Sequence, residues 1–166
     1  LFLFLKVLEH DTEEIKVVAL QVLLDVILSH GTANLGITDA LTLEMMARSE
    51  WSDDDAQERA LVSIANCLNS AELRSVAAQG IAKLFFVGTL KCPQLLARLI
   101  VLHFDPGLND EAVHSCLAMF FPAYVFSKRF HDRHQAVAEQ AFLWAIQWAQ
   151  SCNIISSRSR DTLTLI

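Results

Sequence analysis

A short pattern of apolar residues occurs three times and restricts this chain to a narrow set of folds. Ile15 is followed by Ala19 and Leu23, Leu73 by Ala77 and Ile81, and Val113 by Leu117 and Phe121. In each case an apolar residue carries a polar or basic neighbour and is followed by apolar residues four and eight positions on, the spacing of one helix face. The second and third patterns lie 40 residues apart and the first and second 58 apart. Forty residues is the length of a repeating helix pair, and the longer interval is one such unit plus an insertion. A helix pair cannot bury its apolar face alone, so units of this kind stack on their neighbours into a solenoid.

Punctuation along the chain agrees with this reading. There are 5 glycines and 3 prolines in 166 residues, few enough breaks for long helices. Leu1 to Glu9 reads as the end of one helix. Asp11 or Thr12 starts the next, with Glu14 completing a D-x-x-E cap, and Gly31 ends it as a C′ residue. Residues 32–55 are polar and acidic, end in Ser52-Asp-Asp-Asp55, and read as a surface insertion with a short helix near Leu41 to Arg48. Ser52 caps a helix running to about Leu68. Ser70 caps another from Ala71 to Val87, ended by Gly88. Pro93 suits a helix first turn, and that helix ends at Asp105-Pro106-Gly107. Asn109 or Asp110 opens the next, with Pro122 inside, where the lost N–H predicts a kink. A last long helix covers about Arg133 to Ser151. Gly80 falls inside a helix, where glycine costs about 1 kcal/mol against alanine, and is read as a point of close helix packing.

The composition excludes several classes. Hydrophobic residues make up 53% and charged residues 19%, which is not a disordered chain. The apolar runs Val17 to Leu28 and Leu95 to Phe104 are interrupted by polar residues and fall short of the roughly 18 to 20 residues of a membrane span. Leu1 to Leu8 lacks a basic leader and a small-residue cleavage site, so it is a poor signal peptide. With no initiator methionine, the chain is read as a piece of a longer protein. Residues 1–60 hold 12 acidic and 4 basic side chains, and residues 61–166 hold 7 and 9. The first part would repel a phosphate backbone and the second is close to neutral towards it. Cys67, Cys92, Cys116 and Cys152 include no C-x-x-C pair and are read as reduced core residues.

No phosphate loop, nucleophile elbow or H-E-x-x-H motif is present. Catalytic residues, cofactor-binding residues and metal ligands are therefore not assigned. His131 and His134, with Asp132 between them, are read as surface residues rather than a metal site. His103 and His114 lie among apolar residues and are predicted to be partly buried.

Three segments carry a family resemblance. AELRSVAAQGIAKLFFVG at 71–88, LLARLIVLHFDP at 95–106 and HSCLAMFFP at 114–122 are similar, in order and spacing, to stretches of the CAP-G-type HEAT-repeat subunits of condensin (subunit 3, non-SMC). The family carries an L-x-R-L-I-L-x-x-x-x-P run at the second segment and H-C-L-G-V-F-F-P at the third. Ala118 stands where the family often has glycine, and His103-Phe104 where an aromatic pair is usual. Ile15 to Asp25, followed by an acidic insertion, fits the same layout.

The resemblance implies an all-α fold, a HEAT-repeat α-solenoid of stacked antiparallel helix pairs over 1–166, from the C-terminal half of such a subunit. It implies a non-catalytic scaffold that binds the condensin kleisin subunit, meets the SMC ATPase core through the complex, and holds DNA jointly with the kleisin. No membrane partner is implied. The setting is nucleus and cytoplasm, and chromosomes in mitosis. Kleisin contact would use exposed apolar residues, with Phe85, Phe86, Phe120, Phe121, Phe126, Trp144 and Trp148 as candidates. For DNA the basic residues Lys83, Lys91, Arg98, Lys128, Arg129, Arg133, Arg158 and Arg160 are available, and Lys128, Arg129 and Arg133 form the densest cluster. The alternative is a HEAT- or armadillo-type nuclear transport receptor, or another protein-interaction scaffold.

Overall fold

The computed structural model describes residues 1–35, 37, 56–127 and 131–151, with the side chains of 57, 58, 131–134 and 151 outside that description. Among the described residues the chain is helical and contains no strand. The helices are α1 (Phe2–His10), α2 (Glu13–His30), α3 (Ala56–Cys67), α4 (Arg74–Val87), α5 (Pro93–Phe104), α6 (Glu111–Val125) and α7 (His131–Ser151), with a 3₁₀ turn at Ala33–Leu35.

Successive helices pair as α1 with α2, α3 with α4 and α5 with α6, and the pairs stack in two layers. One layer contains α2, α4 and α6, with α4 touching both of the others. The second is formed by α1 on α3 and by α7 on α5. The core lies between the layers. Of the repeat residues, Ala19, Leu23, Leu73, Ala77, Ile81, Val113 and Leu117 are buried in it, Phe121 is half-buried and Ile15 is exposed, so most of the pattern that predicted the stack also builds its interior.

Several ends form as their sequences require. Gly31 takes φ 77°, a conformation that favours glycine, and its N–H donates to the Ile27 carbonyl at 2.8 Å. Gly88 is left-handed and its N–H meets the Phe85 carbonyl at 2.9 Å. Pro93 opens α5. Asp110 caps α6, its Oδ1 accepting from the Val113 N–H at 3.1 Å, which satisfies one of the free donors of a helix start.

One predicted cap and one predicted start differ. Asp11 ends α1 in extended backbone, and Thr12 stands at the N-cap of α2 without a side-chain bond, so the D-x-x-E cap does not form. Residues 71–73 make a turn, and α4 begins at Arg74. Ser70 Oγ still accepts from the Leu73 N–H at 3.4 Å, and it donates to Glu72 Oε2 at 3.0 Å. The Arg74 guanidinium reaches back to the Leu68 carbonyl at 2.9 Å and the Asn69 carbonyl at 3.2 Å. It thereby satisfies acceptors just past the end of α3 that α4 cannot reach. Helix α6 runs through Pro122 to Val125, and the Pro122 carbonyl accepts from Phe126 at 3.0 Å.

Polar links join the pairs. Buried Arg59 on α3 pairs with Glu9 on α1. Thr32, just past α2, donates to the Thr89 carbonyl, just past α4, at 3.3 Å. Arg98 on α5 donates to Asn69 Oδ1 at 2.9 Å. At Gly80 on α4 a Cβ would overlap the Leu24 side chain of α2, lying 2.9 Å from its Cγ. The glycine is thus the close-packing point that its place in the sequence indicated. The predicted helix at Leu41 to Arg48, the Ser52 cap, most of the 32–55 insertion and the tail from 154 lie outside the described residues.

Candidate functional site

Among the described residues, the exposed large apolar side chains fall into three groups, with Phe104 on α5 standing apart from them. Leu3, Ile15, Val18 and Val22 lie on the outer side of the α1–α2 pair. Phe142, Leu143 and Ile146 lie on α7. Phe86, Val87, Met119, Val125 and Phe126 lie along the layer of α2, α4 and α6. Phe86, Val87 and Met119 of the third group line the larger of two adjoining grooves. A groove of about 650 Å³ runs between α4 and α6, lined among others by Ala82, Lys83, Phe86, Cys116, Met119 and Phe120. A smaller one of about 210 Å³ lies between α2 and α4, lined by residues including Gln21, Asp25, Val76 and Gly80. Leu28, Gln79 and Lys83 line both, so the two grooves adjoin across α4.

Phe120, in the groove floor, packs at 5.3 Å on Tyr124 with the rings tilted, and Tyr124 meets Phe85 edge to face at 6.1 Å. Burial pushes the Tyr124 hydroxyl up to about 12 and the Cys67 thiol to about 11, so both stay protonated near neutral pH. The Cys116 thiol is also raised by burial, against an opposing pull from Lys83. Cys67 and Cys116 are free thiols; Cys67 and Cys92 are buried, as expected of core residues, and Cys116 is half-buried. Cys152 lies outside the described residues. His103 and His114 are half-buried, 6.0 Å apart. Desolvation, and then the neighbouring His114, lowers the pKa of His103.

The aromatic candidates separate by position. Phe85 is sealed in the core and Phe120 is buried in the groove floor, while Phe86 and Phe126 are open to solvent. Phe121, Trp144 and Trp148 are half-buried. Met119, 73% exposed, belongs to the groove although no aromatic pattern marks it; its place six residues after Val113 was the available signal. Among the basic candidates, Lys83 is exposed in the grooves and Lys91 is exposed in the loop before α5. Arg98 is engaged with Asn69. Lys128, Arg129, Arg158 and Arg160 lie outside the described residues, as does the side chain of Arg133.

No group of His, Cys, Asp or Glu that could hold a metal ion occurs among the described residues, and no described helix is long and apolar enough to cross a membrane.

Comparison with known proteins places this arrangement. Residues 1–163 match the family described as nuclear condensing complex subunits, C-term domain. Condensin complex subunit 3 of Homo sapiens is 30% identical over 158 residues, which is 87% of this chain and 15% of that protein. Its Xenopus laevis counterpart is 37% identical over 78 residues, 46% of this chain and 7% of that protein. The Schizosaccharomyces pombe protein of the same name is 27% identical over 137 residues, 82% of this chain and 14% of that protein. The chain thus spans about a seventh of the human and fission-yeast relatives. With a two-layer helical stack and a family match along nearly its whole length, the chain belongs to the family of nuclear condensing complex subunits, as a C-terminal domain.

Proposed function

We propose that this chain is part of a non-catalytic HEAT-repeat scaffold subunit of condensin. It binds the kleisin subunit, meets the SMC ATPase core through the assembled complex, and contributes with the kleisin to holding DNA. Its place of action is the nucleus, on chromosomes in mitosis, with a cytoplasmic pool. The observation that carries this reading is the family match over residues 1–163. The apolar groove between α4 and α6 supports it, because a scaffold must offer a partner something to bury.

Lys128, Arg129 and Arg133 are the proposed phosphate-contacting residues. They stand in the half of the chain that is not net acidic. The polar and acidic stretch at about 32–55 is proposed to be a surface insertion in the solenoid.

The test is co-elution of the full-length polypeptide that carries this chain with its kleisin on size exclusion, followed by salt titration of DNA binding. Stable co-elution is expected. The complex is expected to bind DNA with an affinity that falls steeply as salt rises, by about 0.9 log units per log unit of salt for each phosphate neutralised. Failure to bind the kleisin, together with tight binding to a transport GTPase, would overturn the reading in favour of a transport receptor.

A further inference from the structure

The repeat register shows which side of each helix meets its neighbour in the stack. Counted from Ile15 and Leu73, positions nine and thirteen are Leu24 and Leu28 on α2, and Ala82 and Phe86 on α4. Counted from Leu73 and Val113, positions three and seven are Val76 and Gly80 on α4, and Cys116 and Phe120 on α6. Leu24, Leu28, Val76 and Gly80 share the groove between α2 and α4. Ala82, Phe86, Cys116 and Phe120 share the groove between α4 and α6. Both junctions therefore set positions nine and thirteen of one unit against positions three and seven of the next. At the first junction the approach is closest, since the Leu24 side chain fills the space of a Cβ on Gly80.

The same register can be carried to the other side of α2. Its positions three and seven are Val18 and Val22, which are 57% and 41% exposed. With Ile15, and with Leu3, Phe4 and Val7 of α1, they line an apolar groove of about 440 Å³, to which, among the described residues, only α1 and α2 contribute. The first residue of the repeat shows the same difference. Leu73 and Val113, each with a unit stacked before it, are 5% and 0% exposed, whereas Ile15 is 48% exposed. This side of α1–α2 thus carries the residues of a junction in the register of a junction.

We infer that a helix pair of the longer polypeptide, one repeat before α1 and α2, docks in this groove. The occupant is argued from register and from length. The matched family is a C-terminal domain, and the 158 matched residues are 15% of the human relative, so a subunit of that kind carries a long stretch of chain ahead of this domain. The docking helix presents two apolar residues four apart, on one helix face, at positions nine and thirteen of its own unit. One repeat period of 40 residues puts them that far upstream of Leu24 and Leu28. Close packing also restricts their size. Large faces small at both known junctions, Leu24 against Gly80 and Phe120 across from Ala82. Opposite Val22 the residue at position nine is therefore small, no larger than valine. The inference does not depend on the kleisin reading.

The test uses the isolated full-length polypeptide, without kleisin, and two variants of it. Val18→Cys is expected to react with a maleimide at least tenfold more slowly than Lys91→Cys, which lies in an exposed loop, with each site read by peptide mass spectrometry. In urea the two rates should become equal. A photo-crosslinking phenylalanine analogue at position 15 is expected to link within the same polypeptide, to a segment ahead of Leu1. Equal labelling of the two sites in the native protein would overturn the inference by showing an open face. A crosslink joining two copies, or reaching another part of the polypeptide, would overturn it by naming a different occupant. Either failure would leave the kleisin reading untouched.

Discussion

Phe85→Ala is expected to destabilise the folded chain by about 3–5 kcal/mol, the range for truncating a buried phenylalanine. Phe85 is completely buried on the middle helix of its layer and meets Tyr124 of α6 edge to face at 6.1 Å. The substitution leaves a cavity between two stacked units and removes an aromatic pair worth about 0.5–1.5 kcal/mol beyond its area. Stability in a stacked array is close to a sum of unit and interface terms, so a loss at α4 weakens the contacts to both α2 and α6. A domain has only about 5–15 kcal/mol in total, and the variant should unfold at a much lower denaturant concentration. Urea denaturation followed by circular dichroism measures it, with Phe86→Ala, the exposed neighbour, as the comparison expected to change little. Equal midpoints for the two variants would mean that the assigned inward and outward faces of α4 are wrong.

The second large effect is expected at Gly80. Helix propensity alone favours replacing this glycine, by up to about 1 kcal/mol for alanine. The packing opposes it, because a Cβ at this position overlaps Leu24, itself buried. Gly80→Val adds two further carbons at the same contact and should cost about 3 kcal/mol, the upper part of the usual overpacking range. Gly80→Ala should also lower the melting temperature, against its propensity. Leu24→Ala on that background should recover part of the loss, since the two residues share one space and their effects cannot add. A Gly80→Ala variant that melts higher than the parent would show that α2 and α4 do not approach this closely.

Much of the architecture was legible because it depends on local periodicity. The three repeats at Ile15, Leu73 and Val113 marked the three helices of one layer, Gly31, Gly88 and Asp110 marked boundaries of those helices through backbone conformation and capping, and Pro93 marked the start of α5. The cap that does not form and the start that shifts have local causes. At Asp11 the chain is still leaving α1 in extended backbone, which removes the carboxylate from a capping position. After Ser70, Arg74 bonds backward to Leu68 and Asn69, and the segment between is held as a turn.

The groove was less legible, because it depends on which residues of α4 face which residues of α6. Phe85 and Phe86 are neighbours with the same side chain, yet one is sealed in the core and the other faces solvent. Composition cannot separate them, whereas a register counted from Leu73 can. Met119 shows the same limit, since an unbranched apolar residue beside Phe120 and Phe121 reads as core until its own face is assigned. Basic residues were judged by sequence density, which favoured Lys128, Arg129 and Arg133. The structure brings a different cation, Lys83, into the grooves.

The most direct measurement places a photo-crosslinking phenylalanine analogue at position 86 of the full-length polypeptide, within the assembled condensin complex. A second sample carries the analogue at position 66, exposed on α3 in the opposite layer. Irradiation is expected to join position 86 to the kleisin and to leave position 66 unlinked to it. An intact complex in which position 86 captures no kleisin, or captures a different protein, would contradict a kleisin-binding scaffold built on this face.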